Sequence, residues 1–167
     1  MQTIKNIVNT VLSHPALLLL IRLLVGGVFL VFGVAKALAP IEEFIASINS
    51  YQMLPEFIVP LFANVMIYTE IVIGLLFVLG LFTKRMAQAH VVLLGMFIIA
   101  IGQAMVRGLE LLDCGCGGGL KLGETPGEVL GRDIIMLILV GIFLLQQTPI
   151  EKRWSLDRLM GNSGSQE

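Results

Sequence analysis

Long apolar runs dominate the chain, and polar residues interrupt them rather than alternate with them. A membrane-crossing helix needs roughly 20 mostly apolar residues. Residues 16–38, 57–81, 86–106 and about 129–147 meet or approach that length. The first run is too long for the apolar core of a signal peptide, and no small-residue cleavage site follows it. It therefore reads as a retained span. Two shorter stretches carry apolar residues at helical spacing. One is Ile4, Ile7, Val8, Val11 and Leu12, ending at Ser13-His14-Pro15; the other is Ile41, Phe44, Ile48 and Tyr51, after Pro40. Both suit helices lying in the plane of the interface. The expected fold is an all-α integral membrane four-helix bundle with short amphipathic interfacial helices. It forms one domain over residues 1–160, with a small, polar, flexible tail at 161–167.

The fourth run departs from the other three. Thr125-Pro126-Gly127-Glu128 has the form of a capping box with proline at the first helical position. Arg132 and Asp133 follow at once, and the uninterrupted apolar stretch is only residues 134–145. That stretch spans about 18 Å at 1.5 Å per residue, against a hydrocarbon thickness of roughly 30 Å. Charged turns at membrane depth need cover from protein or a wet cavity. The expectation is that the glycine-rich loop before this helix folds onto the bundle.

Composition agrees with the pattern. The chain has 167 residues, of which 56% are hydrophobic and 14% charged, with a mean hydropathy of +0.91. Soluble domains carry about 25% charged residues. A net charge of −1 offers no basic face for a phosphate backbone, so no nucleic-acid partner is expected. Lys5, Lys84, Arg85, Lys152, Arg153 and Arg158 fall at the termini and in the second connection. By the positive-inside rule both termini lie in the cytoplasm. The long third connection then faces the periplasm, and the chain belongs in a bacterial inner membrane.

That connection holds the only two cysteines, in Asp113-Cys114-Gly115-Cys116-Gly117. In an oxidising compartment neighbouring thiols tend to pair. A Cys-Gly-Cys ring is strained and easily reduced, and it removes little unfolded-state entropy. Cys114 and Cys116 therefore read best as a catalytic redox pair. A structural bridge, two inert thiols, or a metal site completed by another chain are the alternatives; no metal is expected from this chain alone, since His14 and His90 map to the opposite side. Lys36, Arg107, Lys121 and Arg132 lie on the same outer face, as cations that raise the thiolate fraction or as anchors that snorkel to the interface. Gln103, Arg107 and Arg132 are the candidate contacts for an electron acceptor. Arg22 and Glu70 are ionisable within the hydrocarbon, where such residues usually pair, and an Arg22–Glu70 ion pair is the default expectation. Tyr68, Asn64 and Gln103 are candidates to add hydrogen bonds. His90 reads as interfacial. Gly26, Gly27, Gly33, Ala37, Gly74, Gly80, Gly95 and Gly102 supply small faces for helix packing.

Several blocks carry a family likeness. They are Arg22, Gly26, Gly33 and Lys36; Tyr51-Gln52-Met53-Leu54-Pro55; Glu70-Ile71-Val72-Ile73-Gly74-Leu75; Leu79-Gly80-Leu81-Phe82-Thr83-Lys84-Arg85; and Cys114-Gly115-Cys116-Gly117 with Arg132 beyond it. In this order the chain resembles the DoxX-like membrane family, and within it the methylamine-utilisation MauE branch. Gly118 stands where that branch usually carries an aromatic residue. The resemblance implies a four-span bundle similar to vitamin K epoxide reductase and the bacterial disulfide-forming quinone reductase. It also implies a redox-associated role beside a periplasmic thioredoxin-like or redox-enzyme partner. Some DoxX-like relatives serve thiosulfate–quinone electron transfer. The function expected is thiol–disulfide exchange at Cys114 and Cys116, linked to a membrane quinone. The alternative is a non-catalytic accessory or assembly subunit of a larger membrane redox complex. A solute channel is the weaker third reading, since Arg22 and Glu70 would neutralise each other.

Overall fold

The computed structural model describes residues 15–109 and 125–146. Among these residues the chain is all-α, in five helices. They are α1 (Pro15–Leu38), α2 (Ile41–Ser50), α3 (Val59–Leu79), α4 (Thr83–Val106) and α5 (Pro126–Leu145). Three helices are long and apolar enough to cross a membrane: Ala16–Leu38, Val59–Leu79 and Thr83–Val106. Their outward faces carry large apolar side chains such as Leu20, Leu61 and Val92. A lipid environment explains that exposure; water would penalise it.

The most extensive pairing is α1 with α3, followed by α4 with α5. Glycine makes the first pairing close. A Cβ on Gly74 would sit 2.7 Å from the Leu30 backbone nitrogen, and one on Gly33 would sit 2.8 Å from Ile71 Cγ1. Gly26 meets Gly74 and Val78 in the same way. Of the glycines expected to supply packing faces, these three do so. Gly27, Gly95 and Gly102 face open space. Gly80 has a different role: at φ 74° it ends α3 in the left-handed conformation, which glycine adopts without a Cβ penalty.

The contacts of Gly33 with Glu70 and of Gly26 with Val78 make α1 and α3 antiparallel. The end of α1, all of α2, the start of α3, the end of α4 and the start of α5 consequently share one end of the molecule. Tyr51, Ile101, Ala104 and Val129 form a small apolar cluster there, with Leu109 and Leu130 packed against it. The main core lies along the helices, built from Leu18, Val25, Phe29, Phe77, Leu94, Val140 and Phe143 among others.

The capping box at the start of α5 is present: the Glu128 backbone N–H donates to the Thr125 hydroxyl, and Glu128 Oε2 accepts from the Thr125 backbone N–H at 2.7 Å. The helix that follows is not among the three with spanning length and composition. Glu128, Arg132 and Asp133 occupy its first two turns, and these charges shorten the apolar window. The amphipathic helix after Pro40 also forms, as α2, which buries no residue fully. The amphipathic stretch at 4–12, the residues around Cys114 and Cys116, and the tail at 161–167 lie outside the described residues.

Candidate functional site

Two opposite charges meet in the interior. Lys36 Nζ donates to both oxygens of Glu70, at 2.7 and 2.8 Å. Both residues are almost fully buried, at 3% and 2% exposed. A buried charge requires such a partner, because ionisation without one costs several kcal/mol (roughly) in the interior. The close α1–α3 approach at Gly33 sets this pair, since Glu70 and Ile71 pack where that glycine leaves room.

The expected Arg22–Glu70 pair is not the one that forms. Glu70 packs beside Gly33, and Val78 packs beside Gly26. Arg22 lies one turn beyond Gly26, away from Lys36. Eight residues separate Glu70 from Val78, about 12 Å of axial rise. Reasoning from depth alone placed Arg22 within reach; the antiparallel register gives Glu70 to Lys36 instead. Arg22 is itself buried.

Asp133, only 2% exposed, faces the same region from α5. Arg132 Nε and Nη2 reach its Oδ1 at 3.4 Å. The Arg132 guanidinium also lies 4.9 Å from the Phe32 ring centroid, within range of a cation–π contact. Lys36, Glu70, Arg132 and Asp133 line one small cavity of ≈ 20 Å³, about the space a single water needs. A second, larger cavity of ≈ 190 Å³ lies under α2. Phe44, Tyr51, Met66, Met96 and Phe97 are among its walls, and Lys36 borders it as well. Lys36 and Phe97 are common to both. The ammonium lies 4.9 Å from the Phe44 ring centroid and 5.6 Å from that of Phe97.

The three residues expected to contact an electron acceptor are dispersed. Arg132 joins the Lys36–Glu70 group. Arg107 reaches the turn after α2, donating to Gln52 Oε1 at 3.2 Å and to the Tyr51 carbonyl at 3.5 Å. Gln103 lines neither cavity. Cys114 and Cys116 lie outside the described residues, but the chain leaves at Leu109 and returns at Thr125, at the end that carries this group.

Three further expectations change. His90 is fully buried rather than interfacial. Its ring is 4.5 Å from that of Phe29 and 4.8 Å from that of Phe77, and Nδ1 pairs with the Met86 carbonyl at 2.8 Å. The Nδ1 contact uses a backbone oxygen one turn back, so burial leaves that nitrogen satisfied. Tyr68 is 65% exposed, whereas Glu70 is buried. Asn64 returns its amide to the Pro60 carbonyl at 2.9 Å. Sequence reasoning did not single out Asp133 or Phe97 for the site. Asp133 gave a signal, as an acid at the start of an apolar run; Phe97 gave none.

Among the described residues, no group of three or more His, Cys, Asp or Glu is placed to hold a metal ion. No curated protein and no solved structure matches the chain. A family model does: that of the methylamine utilisation protein MauE, over residues 14–146. That range takes in all five described helices in full, and with them the buried Lys36–Glu70 pair. A membrane-capable helical chain matched over most of its length by that model belongs to the MauE family.

Proposed function

We propose that this membrane protein exchanges disulfides with a partner of the methylamine-utilisation system, through Cys114 and Cys116. The partner brings two thiols. One thiolate attacks a sulfur of the Cys114–Cys116 disulfide, forming a mixed disulfide and releasing the other cysteine as a thiol. The partner's second thiol resolves the mixed disulfide. The partner leaves oxidised and the pair is left reduced, with two electrons and two protons transferred. A lipid-soluble quinone is the second substrate; it takes those two electrons and two protons and re-forms the disulfide. In this reading α5 is the fourth crossing, with its charged first turns covered by α1, and the third connection faces the periplasm.

The observation that carries the proposal is the position of residues 109 and 125. Leu109 packs on the cluster containing Tyr51 and Val129, and Thr125 caps α5 beside it. The chain thus leaves and re-enters the described fold, on either side of Cys114 and Cys116, at the end with the buried ionic group. A strained, reducible three-residue ring is suited to cycling.

The test is the variant Cys114→Ser with Cys116→Ser, assayed for growth on methylamine and for disulfide formation in periplasmic proteins of the same system. The expected result is loss of both, with unchanged expression and membrane insertion. Unchanged growth and partner oxidation would instead favour a non-catalytic assembly subunit.

A further inference from the structure

The larger cavity has the composition of a ligand site. Its walls are apolar and aromatic, with methionine at Met53, Met66 and Met96, and one buried cation, Lys36, at its edge. Ligand pockets commonly combine an apolar lining with a few placed polar groups. An apolar cavity of about 150 Å³ holds benzene. At ≈ 190 Å³ this one takes a single substituted six-membered ring. Met53, 48% exposed, borders it, so a tail has a way out.

Lys36 decides the chemistry of the occupant. An ammonium has three donors, and the described residues supply only the two Glu70 oxygens as acceptors. Donor capacity therefore remains beside the two rings that line the cavity, Phe44 and Phe97. Glu70 already neutralises the cation. An anionic ligand such as a fatty acid would lose its hydration and meet no net positive charge. A neutral carbonyl accepts a hydrogen bond from Lys36 without that penalty.

The geometry points to a binding site, under α2, for a neutral lipophilic carbonyl compound of the quinone class, its ring between Phe44 and Phe97 and one carbonyl oxygen on Lys36. The identity of the ligand as electron acceptor rests on the disulfide-exchange reading above; the cavity and its preference for a neutral carbonyl do not. Tyr51 and Ile101 line the cavity and also belong to the cluster that seats Leu109 and Val129. The site and the roots of the cysteine segment are thus joined by packed side chains.

The probe is a photoreactive short-tailed benzoquinone, applied to the full chain in lipid nanodiscs with decyl-benzoquinone, palmitate and phosphatidylglycerol as competitors. Labelling is read by mass spectrometry of peptides. The expected result is labelling of residues from α2 and from 96–101, competed by decyl-benzoquinone alone. Labelling elsewhere, none at all, or equal competition by palmitate or phosphatidylglycerol overturns the proposal. Ala100→Phe fills the cavity and should weaken binding at least about tenfold with unchanged thermal unfolding. Lys36→Met with Glu70→Met removes both charges together and should weaken it about tenfold or more, the scale of a lost charge-assisted hydrogen bond. Wild-type affinity in both variants overturns the proposal. Labelling of the wild-type chain, set beside the redox state of Cys114 and Cys116 read by maleimide mass shift, separates the two readings. Labelling retained while the thiols never cycle defeats disulfide exchange and leaves the site. Cycling thiols with no labelling defeats the site alone.

Discussion

Lys36 and Glu70 make the strongest demand at the residue scale, because each is tolerable only in the presence of the other. Lys36→Met leaves a buried carboxylate uncompensated and should lower stability by about 3–5 kcal/mol. Adding Glu70→Met should recover most of that loss, since well-packed apolar residues often replace a buried pair without net cost. Thermal unfolding of the two single variants and the double variant in one detergent checks this; additive losses would contradict the pairing. A second ionisable residue, Glu128, lies outside the three helices of spanning length and composition, ahead of the apolar part of α5. Hydrogen bonds from the Thr125 backbone and hydroxyl hold its carboxyl below the usual carboxylate value. A carboxylate with a depressed folded value stabilises the fold above its unfolded pKa, and that contribution disappears as pH falls through the folded value. The stability gap between wild type and Thr125→Ala should therefore be widest above about pH 4.5 and narrow in stronger acid, down to the pH-independent loss of the N-cap bond from the Glu128 N–H.

At the scale of the elements, glycine separates packing from punctuation. Gly74→Ala brings a Cβ to 2.7 Å from the Leu30 backbone, so α1 and α3 must part; overpacking of this kind costs about 1–3 kcal/mol. Gly95→Ala and Gly102→Ala meet nothing within 4 Å and should leave unfolding unchanged or raise it slightly, given alanine's better helix propensity. The sequence shows small residues in all these places and does not show which face a neighbour. Helix existence, by contrast, was legible: long apolar runs mark α1, α3 and α4, the Thr125–Glu128 spacing marks the start of α5, and the period after Pro40 marks α2. Which charges pair was not legible. Hydropathy orders residues by depth but says nothing of the rotation or register between two helices. That missing register, seen only where Gly33 meets Ile71, turned an expected Arg22 partner into Lys36. The same gap hid His90, whose place in the apolar run gave its depth but not the Phe29 and Phe77 rings around it.

For the whole molecule, the antiparallel arrangement gathers chemistry at one end. The turn held by Arg107, the Lys36–Glu70 pair, the start of α5 and both roots of the cysteine segment all lie there. Family membership supplies the biological setting, and the proposed redox cycle supplies a use for the two cysteines of the third connection. Direct thiol trapping in intact cells tests that use most plainly: a membrane-impermeant maleimide polymer is added before and after reduction, and Cys114 and Cys116 are counted by mass shift. The account predicts no shift before reduction for the oxidised fraction, a double shift after it, and a larger reduced fraction when quinone is depleted. Two thiols that stay free under every condition, or that react only once the bilayer is lysed, would contradict it.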